Sequence, residues 1–349
     1  MSRGGGETLD PAQILAAILP DAALLAVSGG PDSTALMGLA ARLPGCYVVA
    51  TVDHGLRAAS AEEAGAVARL AAALGLEHRL LGWRGPHPGA GLQEAAREAR
   101  YRLLADLARD LGLPAIVTAH TRDDQAETVL MRVARGTGIT GLAAMRPVGP
   151  RPDGLVHVRP FLDVPKAALV AVCRAEGWPF VEDPSNEDPR FARTRLRRLM
   201  PALAAEGITA TRLAVLATRA ARADEALERV AEAVYAGARR PDGGLPAAVL
   251  TGAPPEIALR LLTRACRAVA APGTPERLGR LESALADLLD AARAGRALRR
   301  TVAGTILRLD RSGLVTFAGE GERRRGRQQS VDQDAAAAPG SLGKGGGGA

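Results

Sequence analysis

The residues with the most chemical potential in this chain are Ser28, Gly29, Gly30, Pro31, Asp32 and Ser33, six in a row after an apolar run and before an amphipathic one. Two adjacent glycines let backbone amides approach a ligand without a Cβ in the way. A helix starting just after them aims unpaired N–H groups and the positive end of its dipole at an anion. Pro31 suits the first helical turn, where a missing N–H costs nothing, and Ser28 and Ser33 add hydroxyls. The string is suited to cradling phosphate. It is not a Walker A loop, because no Gly-Lys-Ser/Thr follows the glycines.

Further along, Asp124 and Glu127 stand three apart at the start of an expected helix, so both carboxylates can face one pocket. Acids in a first turn can simply complement the helix dipole. A position facing the phosphate loop favours a ligand role instead, for Mg²⁺ or for a cationic cosubstrate. His120 reads as a phosphate contact or as a strand-end histidine with local partners. Val52, Asp53 and His54 close another apolar run, where adenosine is expected to lie, held by backbone at Val52 or by the side chains. Arg135 precedes Gly136-Thr137-Gly138 and is suited to stabilising charge on a cleaved phosphate; Gly136 is grouped with the nucleotide-binding backbone. Arg193, Arg195, Arg197 and Arg198 form a dense run that reads as an RNA phosphate track more readily than as a solvated face.

These residues need elements to position them. Residues 23–27, 47–52, 77–81 and 114–119 read as buried strands, and 33–42, 61–74, 92–111 and 122–135 as helices. Strands alternating with helices predict βαβ crossovers and a Rossmann-like parallel sheet with helices on both faces. Ligands of such sheets sit beyond the carboxyl ends of the strands, so the chemistry belongs after Val27, Val52 and Ala119. Past residue 205 the pattern changes: 209–238, 255–270 and 275–293 read as helices, and 297–317 as a hairpin or meander. The expected division is a lead over 1–20, a catalytic domain over 21–205, a smaller, mainly helical domain over 206–318 and a disordered tail over 319–349. The RRRGR cluster in that tail reads as solvated.

Composition sets the bounds. The chain has 349 residues, 47% hydrophobic, with a formal net charge of +7, which makes nucleic acid a natural partner. Aromatics are only 3%, against a reader that stacks bases on rows of rings. No apolar stretch approaches membrane-spanning length, no apolar leader marks the first residues, and Cys46, Cys173 and Cys266 are scattered and odd in number. The expectation is a cytoplasmic protein with neither a disulfide framework nor a cysteine metal knuckle.

The SGGPDS string resembles the pyrophosphate loop of the N-type ATP pyrophosphatases, the PP-loop superfamily, whose members adenylate a carbonyl oxygen. Three further segments narrow the resemblance. Residues 51–57 read TVDHGLR; residues 119–128 read AHTRDDQAET and run on to Arg135-Gly136-Thr137-Gly138 and Gly141-Leu142; Arg159-Pro160-Phe161-Leu162 is followed by Glu182-Asp183-Pro184-Ser185-Asn186 and the arginine run. As an ordered set over residues 22–205 they resemble the tRNA(Ile)-lysidine synthase family. Thr51 departs from the histidine that many relatives carry there, and longer members bear a further C-terminal domain.

The resemblance implies an adenine nucleotide alpha hydrolase-like fold, ATP and Mg²⁺ as cofactors, and a CAU-anticodon tRNA(Ile) and L-lysine as partners. Lysine would be ligated to C2 of the wobble cytidine through an adenylated intermediate, changing decoding from AUG to AUA and identity from Met to Ile. Asp124 and Glu127 would grip lysine, with Asp32 beside them for its amino group or for magnesium; which carboxylate does which stays open, and either Asp124 or Glu127 is a candidate base. Relatives are often dimers, which makes a homodimer the suggested assembly. The competing readings are a tRNA thiolase, which would normally need a cysteine pair or cluster motif, a small-molecule amide or guanidine synthetase, and a non-catalytic RNA-binding module.

Overall fold

Short strands, all but one leading into a helix, assemble a six-stranded sheet in the order β3-β2-β1-β4-β6-β5. The computed structural model describes residues 10–53, 55, 60–83, 92–181 and 192–321. Strands β1 (Ala22–Ala26), β2 (Cys46–Asp53), β3 (Glu77–Gly82), β4 (Ala115–Val117) and β6 (Val156–Val158) run parallel, while β5 (Val148–Pro150) is an antiparallel edge. The helices of this half are α1 (Pro11–Ile18), α2 (Pro31–Ala40), α3 (Ser60–Ala73), α4 (Leu92–Asp110), α5 (Arg122–Val133), α6 (Ile139–Leu142), α7 (Lys166–Ala175) and α8 (Ala192–Ala205), followed by the long α9 (Ala210–Ala238). The parallel α/β expectation holds, but β3 is a largely exposed edge strand, with Leu80 open to solvent, and not the buried run expected over 77–81. Strands β5 and β6 went unforeseen because three residues are too few for alternation to register.

The period of two along the strands sorts the core into two layers. Leu24, Ala26, Val48, Ala50 and Ile116 face one way, onto Leu104, Ala105 and Ala108 of α4. Leu25, Val27, Val49 and Val117 face the other way, onto Leu15, Leu36 and Leu169 of α1, α2 and α7. Helix α2 is covered on nearly every side, Pro31 and Ser33 through Ala40 all being buried. Its Gly38 is a close-approach position, because a Cβ there would lie 2.2 Å from the Trp178 ring.

By packing the chain forms two compact units, Met1–Val230 and Ala231–Ala349. The first takes in α8 and most of α9, beyond residue 205, since Leu213 and Ala217 of α9 join Ala126 and Val129 of α5 in one apolar cluster. In the second unit, the end of α9, α10 (Ala247–Gly252), α11 (Pro255–Arg267) and α12 (Leu278–Arg293) accompany a four-stranded antiparallel sheet of order β7-β10-β9-β8. Three of its strands, β8 (Leu298–Val302), β9 (Thr305–Leu309) and β10 (Leu314–Gly319), form the expected meander. The fourth, β7 (Leu245–Pro246), has only two residues and carries no readable pattern. No single helix among the described residues is long and apolar enough to cross a membrane. Of the expected lead over 1–20, residues 1–9 lie outside the described residues, and 11–18 form α1, whose Leu15 joins the core of the first unit; the arginine-rich tail from 322 on also lies outside them.

A glycine in a helix normally costs about 1 kcal/mol against alanine. Gly38→Ala should do the reverse: the displaced Trp178 should lower unfolding stability by roughly 1–3 kcal/mol, read as a reduced denaturant midpoint with unchanged slope. A midpoint equal to or above that of the parent protein would show that the Trp178 packing does not constrain α2.

Candidate active site

The loop between β1 and α2 is built by its own residues. Gly29 adopts φ +86°, a left-handed conformation that favours glycine, and its carbonyl accepts from Val181 N at 2.9 Å. The Ser33 hydroxyl donates to the Gly30 carbonyl (3.0 Å) and accepts from the Ser28 amide (3.1 Å). Ser33 therefore shapes the loop from within instead of offering its proton to a ligand, whereas Ser28 is exposed. Gly30 is the N-cap without a side-chain bond and Pro31 opens the helix. The amides of the first turn, Asp32 and Ser33 among them, have no carbonyl partner within the helix and suit an anion.

Two more helices begin at the same edge of the sheet. Thr121 and Asp124 form a capping box at the start of α5, Asp124 Oδ2 accepting from the Thr121 amide at 2.9 Å. Asp123 Oδ2 accepts from the backbone N of Lys166, the first residue of α7, at 2.8 Å. The Lys166 ammonium reaches Asp32 Oδ2 at 3.1 Å. Sequence reasoning passed over Lys166; its signal was its rarity, since this chain has only Lys166 and Lys344 as lysines. Burial pushes the Asp32 acid up to about 6; Lys166 opposes the rise, and Asp124 and Asp123 add to it. Asp32 Oδ1 is buried with no hydrogen-bond partner. Beneath the loop, the buried Cys173 thiol donates to the Pro31 carbonyl at 3.3 Å.

One turn into α5, Glu127 is buried, with only 3% of its side chain exposed, and Arg197 Nε donates to its Oε1 at 2.8 Å. Its other oxygen, Oε2, has no partner. Burial raises the Glu127 acid, with Arg197 opposing, Asp124 adding and Arg193 opposing. The arginine run thus does not act as one track. On an α-helix, residues four apart share a face, so Arg193, half-buried, and Arg197 lie toward Glu127, although Arg197, like Arg195 and Arg198, stays exposed. Arg197 is a correction to the four-residue RNA surface: its guanidinium is engaged by a buried carboxylate.

His120 follows β4, its Nδ1 2.7 Å from Thr118 Oγ1, which is also 2.9 Å from His157 Nε2. Burial, together with Arg159, Arg100, Arg97 and Arg193, depresses the His120 imidazole to about 3, so the ring is neutral. Thr118 and His157 were not singled out from sequence; a threonine and a histidine 39 residues apart carry no local signal. Val52 and Asp53 end the strand neighbouring β1, where Asp53 Oδ1 accepts from the Gly55 amide at 2.8 Å, and His54 lies outside the described residues. Glu182 through Asn186 lie outside them too. Arg135 and Gly136 stand apart. They follow the far end of α5, exposed, beyond Val133, which is itself about 14 Å along the helix axis from Asp124 at the helical rise of ~1.5 Å per residue.

Magnesium suits this arrangement. The ion is usually held by one or two carboxylates together with substrate phosphates, and the orphaned Asp32 Oδ1 beside the loop is such a donor. Among the described residues, no group of three or more His, Cys, Asp or Glu forms a separate metal cluster.

Residues 11–203 match the PP-loop domain family. A tRNA(Ile)-lysidine synthase of Methylobacterium nodulans is 56% identical over 313 residues, 87% of this chain and 91% of that protein. Another, of Rhodopseudomonas palustris, is 52% identical over 84% of this chain and 89% of its own length. Among solved structures, a U34-tRNA thiolase from Methanococcus maripaludis shares the fold, with a TM-score of 0.52 at 15% identity over 62% of this chain and 78% of that one.

Because the folded state raises the Asp32 acid from 3.8 to about 6, its ionisation opposes folding. The protonated form is favoured below pH 4, and stability is lost as pH rises through 6. Asp32→Asn should therefore be more stable than the parent at pH 7.5 by about 1–3 kcal/mol, a gap that closes as pH falls toward 4. Equal stability of the two proteins at both pH values would contradict the buried, orphaned carboxylate.

Proposed function

The chain belongs to the tRNA(Ile)-lysidine synthase family, and we propose that its sheet-edge site ligates L-lysine to C2 of the wobble cytidine in CAU-anticodon tRNA(Ile) at the expense of ATP. It is a PP-loop ligase that modifies tRNA. The observation that carries the finer reading is the pair of orphaned carboxylate oxygens, Asp32 Oδ1 and Glu127 Oε2, near the phosphate loop. One acid suits the cation that accompanies ATP and the other suits an amino acid bearing an ammonium group.

The phosphates of ATP lie on the amides of Gly29, Gly30, Asp32 and Ser33, with adenosine toward Val52 and Asp53. The cytidine O2 attacks the α phosphorus, and the bond to the β-phosphate oxygen breaks. Pyrophosphate departs with its new charge facing the α2 N-terminus, which stabilises the transition state more than the ground state. Magnesium held at Asp32 would neutralise part of the pyrophosphate charge. The lysine ε-ammonium donates to Glu127 Oε2 and gives up a proton, for which the raised affinity of Glu127 suits it as acceptor. The free amine then forms the bond to C2 as the C2–O bond breaks to release AMP. Asp124, one of whose oxygens caps α5, supplies negative potential for the same ammonium. Arg195, Arg198 and the remote Arg135 face the RNA.

A thiolase reading lacks a nucleophile at this edge. Cys46 begins β2, at the opposite edge of the sheet, Cys173 is buried under Pro31, and Cys266 belongs to α11 in the other unit.

Labelled lysine incubated with ATP, magnesium and protein should enter unmodified CAU-anticodon tRNA(Ile) and not methionine tRNA. Glu127→Gln should raise the KM for lysine about 10- to 100-fold, the loss of a charge-assisted hydrogen bond worth roughly 1.5–3 kcal/mol. Arg195→Ala and Arg198→Ala should leave that KM alone, each lowering the salt slope of tRNA binding by about one. ATP–pyrophosphate exchange with a different acceptor, and none with tRNA(Ile), would overturn the substrate.

A further inference from the structure

We propose that Thr118 and His157 are positioning residues that fix His120 in the tautomer with its proton on Nε2, making it a neutral hydrogen-bond donor to a phosphate oxygen of ATP. The inference rests on the reading that the phosphates lie on the loop at residues 28–33, beside the end of β4. It follows from a row of contacts in which one end can only donate.

Arg159 Nη2 lies 2.8 Å from His157 Nδ1. A guanidinium has no acceptor, so His157 Nδ1 must accept, and the His157 ring must be neutral with its proton on Nε2. That N–H points at Thr118 Oγ1, 2.9 Å away, and donates to it. The threonine hydroxyl has a single proton. The oxygen could accept twice, but among the described residues His120 Nδ1, at 2.7 Å, is the one acceptor beside it, and the proton is donated there. A neutral imidazole that accepts on Nδ1 carries its proton on Nε2.

Each link is held in place. Arg159 Nη1 donates to the Arg146 carbonyl at 3.0 Å, and the Thr118 amide donates to the Val158 carbonyl at 3.0 Å. His157 and Thr118 are buried, at 4% and 3% exposure, and the Tyr101 ring stands 5.4 Å from that of His157. Burial and the neighbouring Arg159 drive His157 down to about 2, which keeps this direction of bonding throughout the neutral range. The functional consequence is a donor without charge. An imidazolium would bind the ground-state phosphates strongly, whereas a fixed neutral N–H contributes most where charge develops.

Long-range ¹H–¹⁵N spectra of the full chain carrying ¹⁵N-histidine test this, with the His120 signals assigned by their loss in His120→Gln. The expected result is a protonated Nε2 and an unprotonated Nδ1 in the parent protein. Thr118→Val, close in shape but without the hydroxyl, should replace that single tautomer with averaged shifts. The same variant should lower kcat about 10-fold, part of the 10²–10³-fold that losing such a donor costs, with the KM values for lysine and tRNA unchanged. Thr118→Ser should restore both spectrum and rate. A proton on Nδ1 in the parent, or a Thr118→Val protein with parental tautomer and kcat, overturns the proposal. Failure of the underlying functional reading looks different: the parent itself would show no ATP-dependent turnover.

Discussion

Three helices begin at one edge of the sheet, and a single lysine ties their first turns together. The Lys166 ammonium bonds Asp32 on α2, and its backbone N–H bonds Asp123 on α5, while Lys166 itself opens α7. The positive dipole ends of three helices would repel one another if they met bare. Asp32, Asp123 and Asp124 offset that repulsion, and Lys166 in turn limits the repulsion among the acids. The result is a small region of dense, mutually balanced charge where an anionic nucleotide and a cationic amino acid can both be accommodated.

Balance is incomplete at two atoms. Asp32 Oδ1 and Glu127 Oε2 are buried without a partner, and an unsatisfied buried acceptor costs roughly 1–3 kcal/mol. A structure optimised for stability alone would not keep both. They make sense where ligands complete the set, which is how functional sites come to depart from local stability rules. The raised proton affinities of Asp32 and Glu127 are the electrostatic expression of that burial.

Helix α8 shows how one sequence run divides between two roles. Arg193 and Arg197 share the face toward Glu127, which Arg197 holds in place although it remains exposed itself, and Arg195 and Arg198 lie on the outer face. The inner pair lets a carboxylate remain in a buried position, and the outer pair keeps cationic surface beside the same site. Substrate RNA arriving on the outer face would therefore meet the element that also holds Glu127, the acid we propose for lysine.

The sequence by itself determined the layers and the loop and helix starts that line one edge of the sheet. Alternating apolar runs require a parallel sheet, the SGGPDS string requires a phosphate loop at the end of β1, and the acids after His120 require a helix start at the end of β4, because each rests on local spacing and backbone preference. The tertiary structure decided which atoms remain available. Ser33 turned inward to its own loop, Asp124 gave one oxygen to the cap of α5, Arg197 was taken by Glu127, and Arg135 fell at the far end of its helix from the acids. It also supplied the Lys166–Asp32 and His157–Thr118 contacts, whose partners are 134 and 39 residues apart in sequence. Hydrogen bonds between distant segments leave no periodic trace in a chain; they exist only once the sheet has set those segments side by side.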